Sequence, residues 1–207
     1  MSKFAVIFGE GEQRRRPSGS RAIGQIPGFV RATRNDVVDI VHREHIARAV
    51  RSVLRLDELW CDGTSSERTL DALHGVYGGL PVIQISEVRE TAILDRPTNA
   101  RQDASPLVKR LSLLQRKADL SRASFCAYWR DVHAAMVSCH RHVARYVQNH
   151  VVDDSRGMFD GIAEFQITDL RGMRADYESE AAKAMKADVQ NFAATISTYV
   201  VRAHAIH

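Results

Sequence analysis

Cysteine is scarce in this sequence of 207 residues: Cys61, Cys126 and Cys139 form an odd set without Cys-x-x-Cys spacing. That pattern speaks against a disulfide framework and a cysteine zinc site, and a reducing cytoplasm is the expected compartment. With 5 prolines and 12 glycines the chain is neither collagenous nor of low complexity. Long apolar runs are missing too. Phe4–Phe8 is among the longest, far short of the roughly 20 residues of a membrane helix and of the roughly 7 to 15 of a secretory signal core. Aromatic residues make up 7%, and the 29 basic and 25 acidic residues (net +4) are interspersed apart from Arg14-Arg15-Arg16. Nucleic-acid surfaces pair a basic stripe with interleaved aromatics, which speaks against a nucleic-acid partner and leaves an RNA contact through Arg14–Arg16 as a third, weaker reading; no membrane is expected.

What is present is ordinary globular material, 44% hydrophobic and 26% charged. At about 150 residues per domain the length fits one large domain or two small ones. A polar, proline-bounded stretch at 95–106 reads as a linker and divides the chain into segments of similar length.

The second segment, 107–207, has clear periodicities. Val108 to Gln115 reads as a strand, and a helix opens at Ser121 with Phe125, Tyr128, Trp129, Val132, Met136 and Cys139 on one stripe. Arg145–Val152 and Phe159–Ile167 read as strands around a turn at Asp153–Gly157. A second helix carries Met173, Tyr177, Ala181 and Ala184 on one face, and a β-branched strand runs from Thr195 to Ile206. The order β-α-β-β-α-β is that of a ferredoxin-like unit.

The first segment, 1–94, reads as a degenerate copy. Strands are expected at Lys3–Phe8, Leu56–Cys61 and Leu80–Leu94, helices at Asp36–Arg51 and Glu67–Tyr77, and a Gly/Pro/Arg-rich insertion at 9–31. The third strand is expected to be missing or absorbed into Leu70–His74. Two short matches favour a duplication: Val41–Ala47 over Trp129–Ala135, and Glu87–Ile93 over Val200–Ile206. The expected architecture is α+β, a tandem of ferredoxin-like units forming a barrel.

Val108–Leu111, the helix Phe125–Ala134 with Tyr128-Trp129 ahead of His133, Arg145–His150, the Gly161-x-x-Glu164 strand and Asn191-Phe192 together resemble the EthD family over the last half of the chain. Where that family usually has a proline after the histidine, this chain has Ala134-Ala135. The resemblance implies a dimeric α+β barrel, two ferredoxin-like sheets around a small-molecule pocket. Proteins of that architecture include muconolactone isomerase, cofactor-free monooxygenases, polyketide decarboxylases and haem enzymes, so fold does not fix the reaction. A homodimer is implied, or a monomer in which one chain supplies both halves.

Strand alternation sorts the polar residues without the family. Tyr146, Gln148 and His150 share one face, and Asp160 and Glu164 share a face expected to point into a polar barrel interior. His133 stands at the border of the helix stripe. The candidate catalytic residues are His133, His150, Glu164 and Tyr146, with Trp129, Asp160 and Gln148 as candidate substrate contacts. A near-neutral base, a phenolic donor and carboxylates able to orient an imidazole suit a lyase or isomerase acting by proton transfer on an aromatic or oxygenated apolar compound. A non-catalytic ligand-binding protein of a degradation pathway is the alternative. His42/His45 and His140/His142 lack the companions of a zinc site, and Gly9-Glu10-Gly11 has the wrong spacing for a phosphate loop. No metal and no cofactor are expected, with haem left open because His133 or His150 could serve as an axial ligand.

Overall fold

The uninterrupted run Phe4–Phe8 lies in β1 (Ser2–Gly9), a strand buried on both faces. Phe4, Val6 and Phe8 enter one apolar cluster and Ala5 and Ile7 another, which is why the run shows no alternation. The computed structural model describes residues 1–10, 22–44, 53–96, 108–138, 140–152, 157–176 and 178–206.

β2 (Phe29–Glu44), β3 (Val53–Cys61), α1 (Ser66–Tyr77) and β4 (Val82–Asp95) complete the first half. The second half runs β5 (Val108–Arg116), α2 (Arg122–Tyr128), a π turn (Trp129–His133), α3 (Ala134–Val137), β6 (Val143–Val151), β7 (Gly161–Ile167), α4 (Leu170–Asp176), α5 (Glu180–Phe192) and β8 (Ala193–Ile206). The eight strands close a barrel in the order β1-β3-β2-β8-β5-β7-β6-β4. The pairs β2·β8 and β4·β6, both antiparallel, join the two halves. One apolar cluster fills the barrel, with Leu111, Leu113 and Ile162 in it. Two others lie outside the sheet, under α1 and under α2, the π turn and α5.

In each half the strand order is fourth, first, third, second, and the ladders superpose residue on residue. Ala5 pairs with Glu58 as Leu111 pairs with Glu164. Lys3 stands opposite Val88 as Lys109 stands opposite Val201, which sets Glu87–Ile93 over Val200–Ile206. Asn35 faces Leu56 and donates to its carbonyl at 3.0 Å, as Asn149 faces Ile162 and donates at 3.3 Å.

Several expectations need correction. Residues 36–44 are part of β2 and not a helix, because Val37, Val38, Ile40 and Val41 are β-branched and the segment pairs along β8; 45–52 lie outside the described residues. The match of Val41–Ala47 to a helix therefore fails over its described part. No strand is absorbed into Leu70–His74, which is helical; of a helix between the first two strands only residues 22–23 are described as helical. Phe29–Arg31 of the expected insertion open β2, and Asp95 of the expected linker ends β4. Arg14–Arg16 and most of the linker are outside the described residues.

The expected helical stripe also shifts along the α2–α3 segment. The π turn adds a residue, so that after Trp129 the buried positions are His133, Ala134 and Val137, while Val132 is exposed. The second expected helix is two, α5 being capped by Ser179. Its buried face is Ala182, Met185, Asp188 and Phe192, not Ala181 and Ala184, which are exposed.

Candidate functional site

A cavity of about 510 Å³ lies between the outer face of the second half's sheet and its helices. β5 contributes Arg110 and Ser112, β6 Tyr146 and β7 Phe165, while Trp129 and His133 of the π turn and Met185 of α5 cover them. Alternation along β5 and β7 puts these side chains outside the barrel. The wider π turn keeps Trp129 and His133 facing the sheet and swings Val132 out to solvent.

His133 is buried, and its Nδ1 lies 2.8 Å from Asp188 Oδ2. Burial lowers the imidazole's pKa, and the Asp188 carboxylate offsets this in part. Burial acts against Asp188 as an anion, but hydrogen bonds from Tyr128 (2.7 Å), His133 and Asn191 (3.0 Å) keep its carboxyl below the usual range. An ionised carboxylate only accepts, so Nδ1 carries the proton of the neutral ring and Nε2 the lone pair. Nε2 has no hydrogen-bond partner among the described residues, and the ring lines the cavity.

Tyr146 is wholly buried against the cavity, stacked on Phe165 at 4.6 Å between centroids. Burial raises its pKa, so it is a protonated phenol at neutral pH. Arg110, in the same wall, lies 4.1 Å over the Phe165 ring, and burial lowers its pKa to about 10, still a cation at neutral pH.

Of the residues expected from sequence, His133, Tyr146 and Trp129 meet at this cavity. Gln148 stands behind them, donating to Trp129 O (2.8 Å) and Tyr146 Oη (3.0 Å). His150 lies further along the same strand face, with Nε2 on Gln148 Oε1 at 3.1 Å and its ring edge-on to Trp129. Burial lowers its pKa to about 4. Gly161 lets the Trp129 ring rest on β7, since a Cβ there would come within 2.4 Å of Trp129 Cζ3.

The two carboxylates are elsewhere. Asp160 accepts from Arg116 N at 2.8 Å and Arg116 Nε at 3.0 Å. Glu164 points into the barrel, beside Lys109 (3.1 Å) and Lys3 (3.8 Å). Neither orients an imidazole; Asp188 does that. Sequence reading missed Asp188 and Arg110. For Asp188 a signal existed: a carboxylate at helical spacing with Ala182, Met185 and Phe192 sits on a buried face.

Among the described residues no group of three or more His, Cys, Asp or Glu is placed to hold a metal ion. His42 is on a strand, which removes the helical spacing expected with His45. A haem iron would be met at this cavity by His133, a histidine backed by a carboxylate through Nδ1. His150 does not line the cavity.

The family model of the EthD domain matches residues 117–196 of the chain. The match leaves the first half uncovered. Among solved structures, an anthrone oxidase-like protein is similar at TM-score 0.59 and 11% identity, covering 99% of this chain and 92% of that one. A putative monooxygenase from Fusobacterium nucleatum subsp. nucleatum is similar at TM-score 0.53 and 9% identity, with 100% and 93% covered. These two likenesses establish the fold. An EthD family protein from Bacillus halodurans matches at TM-score 0.37 and 17% identity over 48% of this chain and 95% of its own. No curated protein matches the chain. No helix among the described residues is long and apolar enough to cross a membrane.

Proposed function

We propose that the chain is an EthD-like small-molecule enzyme, a lyase or isomerase working by acid/base chemistry on an oxygenated aromatic compound without a cofactor. The observation that carries this is His133: its proton is fixed on Nδ1 by Asp188, and Nε2, without a partner among the described residues, stands at a largely apolar cavity. Such a nitrogen takes a proton from an activated C–H; the electron pair passes to the substrate's oxygen as an enolate, and the proton returns to another carbon. Arg110 and Tyr146 supply the charge and the hydrogen bond that favour the enolate.

The two halves act in this proposal as a tandem of ferredoxin-like units, so that one chain closes the barrel that a single-unit relative would build from two. The repeated pairings of Lys3, Glu58 and Asn35 with Lys109, Glu164 and Asn149 support it. The first half's outer face holds Phe4, Val6, Phe8 and Tyr77 in a packed cluster, which leaves the second half to do the chemistry in a monomer or in each member of a homodimer.

The test is deuterium exchange. Enolisable hydroxyaromatic ketones are incubated with the protein in D₂O and their ring-adjacent C–H signals followed by NMR. The wild type should accelerate exchange about tenfold or more over buffer for one or more compounds, and His133→Ala should abolish the acceleration. Binding without any exchange would contradict the enzyme reading and favour a ligand-binding protein.

A further inference from the structure

The Tyr146 hydroxyl is held as a one-way donor. Its oxygen receives Trp129 Nε1–H at 2.9 Å and Gln148 Nε2–H at 3.0 Å. The Gln148 amide cannot be reversed, because the same Nε2 lies 2.8 Å from the Trp129 carbonyl oxygen, which only accepts. Gln148 Oε1 is taken by His150 Nε2. Both lone pairs of the phenol oxygen are thus occupied by buried donors, and the hydroxyl proton has no acceptor among the described residues. Tyr146 is 1% exposed and lines the cavity, so its proton is offered to whatever occupies the cavity, a ligand oxygen or the water that it displaces. An unmade hydrogen bond from a buried donor is costly, and a ligand oxygen removes that cost. Two N–H groups on the oxygen also polarise the O–H, which makes it a stronger donor.

The charge beside it has mainly one sign. Arg110 is 6% exposed in the same wall and is stacked on Phe165, the ring that in turn stacks on Tyr146. Arg174 and Lys186 also line the cavity, and Glu178 is the one carboxylate in its lining among the described residues. Asp188 stands behind His133, committed to it and to Tyr128.

We propose that the cavity is specific for a planar aromatic ligand bearing an anionic oxygen, a phenolate or enolate, which Tyr146 meets as hydrogen-bond donor and Arg110 as cation, with Gln148 the positioning residue that aims the Tyr146 proton. It rests on the site reading above and adds the substrate class. A neutral ether in place of the oxygen gains nothing from the Arg110 charge, so methylated analogues should be discriminated against.

The probe is 4-nitrophenol, whose ionisation is read directly from its visible absorbance, with 4-nitroanisole as the neutral comparator. Bound to the wild type, the probe's pKa should fall by about one unit or more from its value in buffer, a tenfold preference for the phenolate. 4-Nitroanisole should bind about tenfold or more weakly. Tyr146→Phe and Arg110→Met should each lose most of the shift. Gln148→Met leaves the phenol in place but frees its proton to turn away, and should lose part of the shift while circular dichroism stays native. His133→Ala should keep the shift and lose deuterium exchange. Failure of the probe to bind at millimolar concentration, or a pKa unshifted or raised in the wild type, overturns the proposal. Turnover retained by His133→Ala with the shift intact would instead overturn the assignment of the base and leave the anion site standing.

Discussion

Replacing Glu58 with glutamine removes a charge that two lysines share inside the barrel. Glu58 Oε1 lies 2.7 Å from Lys3 Nζ and Oε2 lies 2.6 Å from Lys109 Nζ, and Oε2 also accepts from Asn35 at 2.9 Å. Glu164, its equivalent in the other half, meets the same lysines at 3.1 and 3.8 Å. Burial acts against both anions. For Glu58 the two lysines overcome it and the carboxyl is held far below its ordinary value. For Glu164 burial and the neighbouring Glu58 charge prevail, and its pKa is raised. The linkage signs are therefore opposite. Glu58 contributes stability that is present above its unfolded pKa, about 4.3, and is lost as the pH falls through its folded value. Glu164 is ionised less readily in the native state, so its charge at neutral pH works against folding. Breaking a buried pair by removing one partner costs about 3–5 kcal/mol. We expect Glu58→Gln to cost that much at neutral pH, and Glu164→Gln to change stability by less than about 1 kcal/mol, because the amide relieves a repulsion. Equilibrium urea unfolding at neutral pH measures both, with equal slopes confirming comparable end states. Equal losses, or a larger loss for Glu164→Gln, would refute this account of the quartet.

Two other outcomes follow from the same geometry. His150 is buried neutral with its pKa lowered to about 4, whereas the unfolded chain takes up the proton near 6.5; stability should therefore fall by roughly 3 kcal/mol as the pH drops from about 6.5 to about 4. His150→Gln should flatten that part of the curve in pH-dependent denaturation, and an unchanged slope would count against a buried neutral His150. Gly161→Ala places a methyl against the Trp129 ring; the overpacking should cost about 1–3 kcal/mol and shift the tryptophan emission, and a neutral substitution with unchanged fluorescence would contradict the close approach.

The second half was largely legible because its elements bury one face each: β5, β6, β7 and β8 begin and end within a few residues of their expected positions, and Ser121 is the N-cap of α2, accepting from Ser124 N. Periodicity failed where backbone geometry departs from 3.6 residues per turn. The π turn moved His133 inward and Val132 outward, which no spacing rule for an α-helix contains. In β2 the charges among Val37, Val38, Ile40 and Val41 imitated a helix face, and only pairing with β8 from the far end of the chain makes it a strand. The quartet was illegible for a related reason. Lys3, Glu58, Lys109 and Glu164 look like solvated charges until barrel closure brings them together. At the cavity, His133, Tyr146 and Trp129 could be named from residue type and position; the helical spacing of Asp188 marks it as inward-facing, but its pairing with His133 depends on a helix packing that the sequence does not specify.

In the proposed mechanism His133 is a neutral base with its proton on Nδ1 and its lone pair in the ligand cavity. Nitrogen-15 NMR of the imidazole groups tests it most directly. A His133 signal of the Nδ1–H tautomer is expected at neutral pH, titrating below the ordinary histidine value of about 6.5 and lost in His133→Ala, with Nε2 moving when a phenolate occupies the cavity. An Nε2–H tautomer, a pKa above that value, or an Nε2 resonance indifferent to the occupant would contradict it.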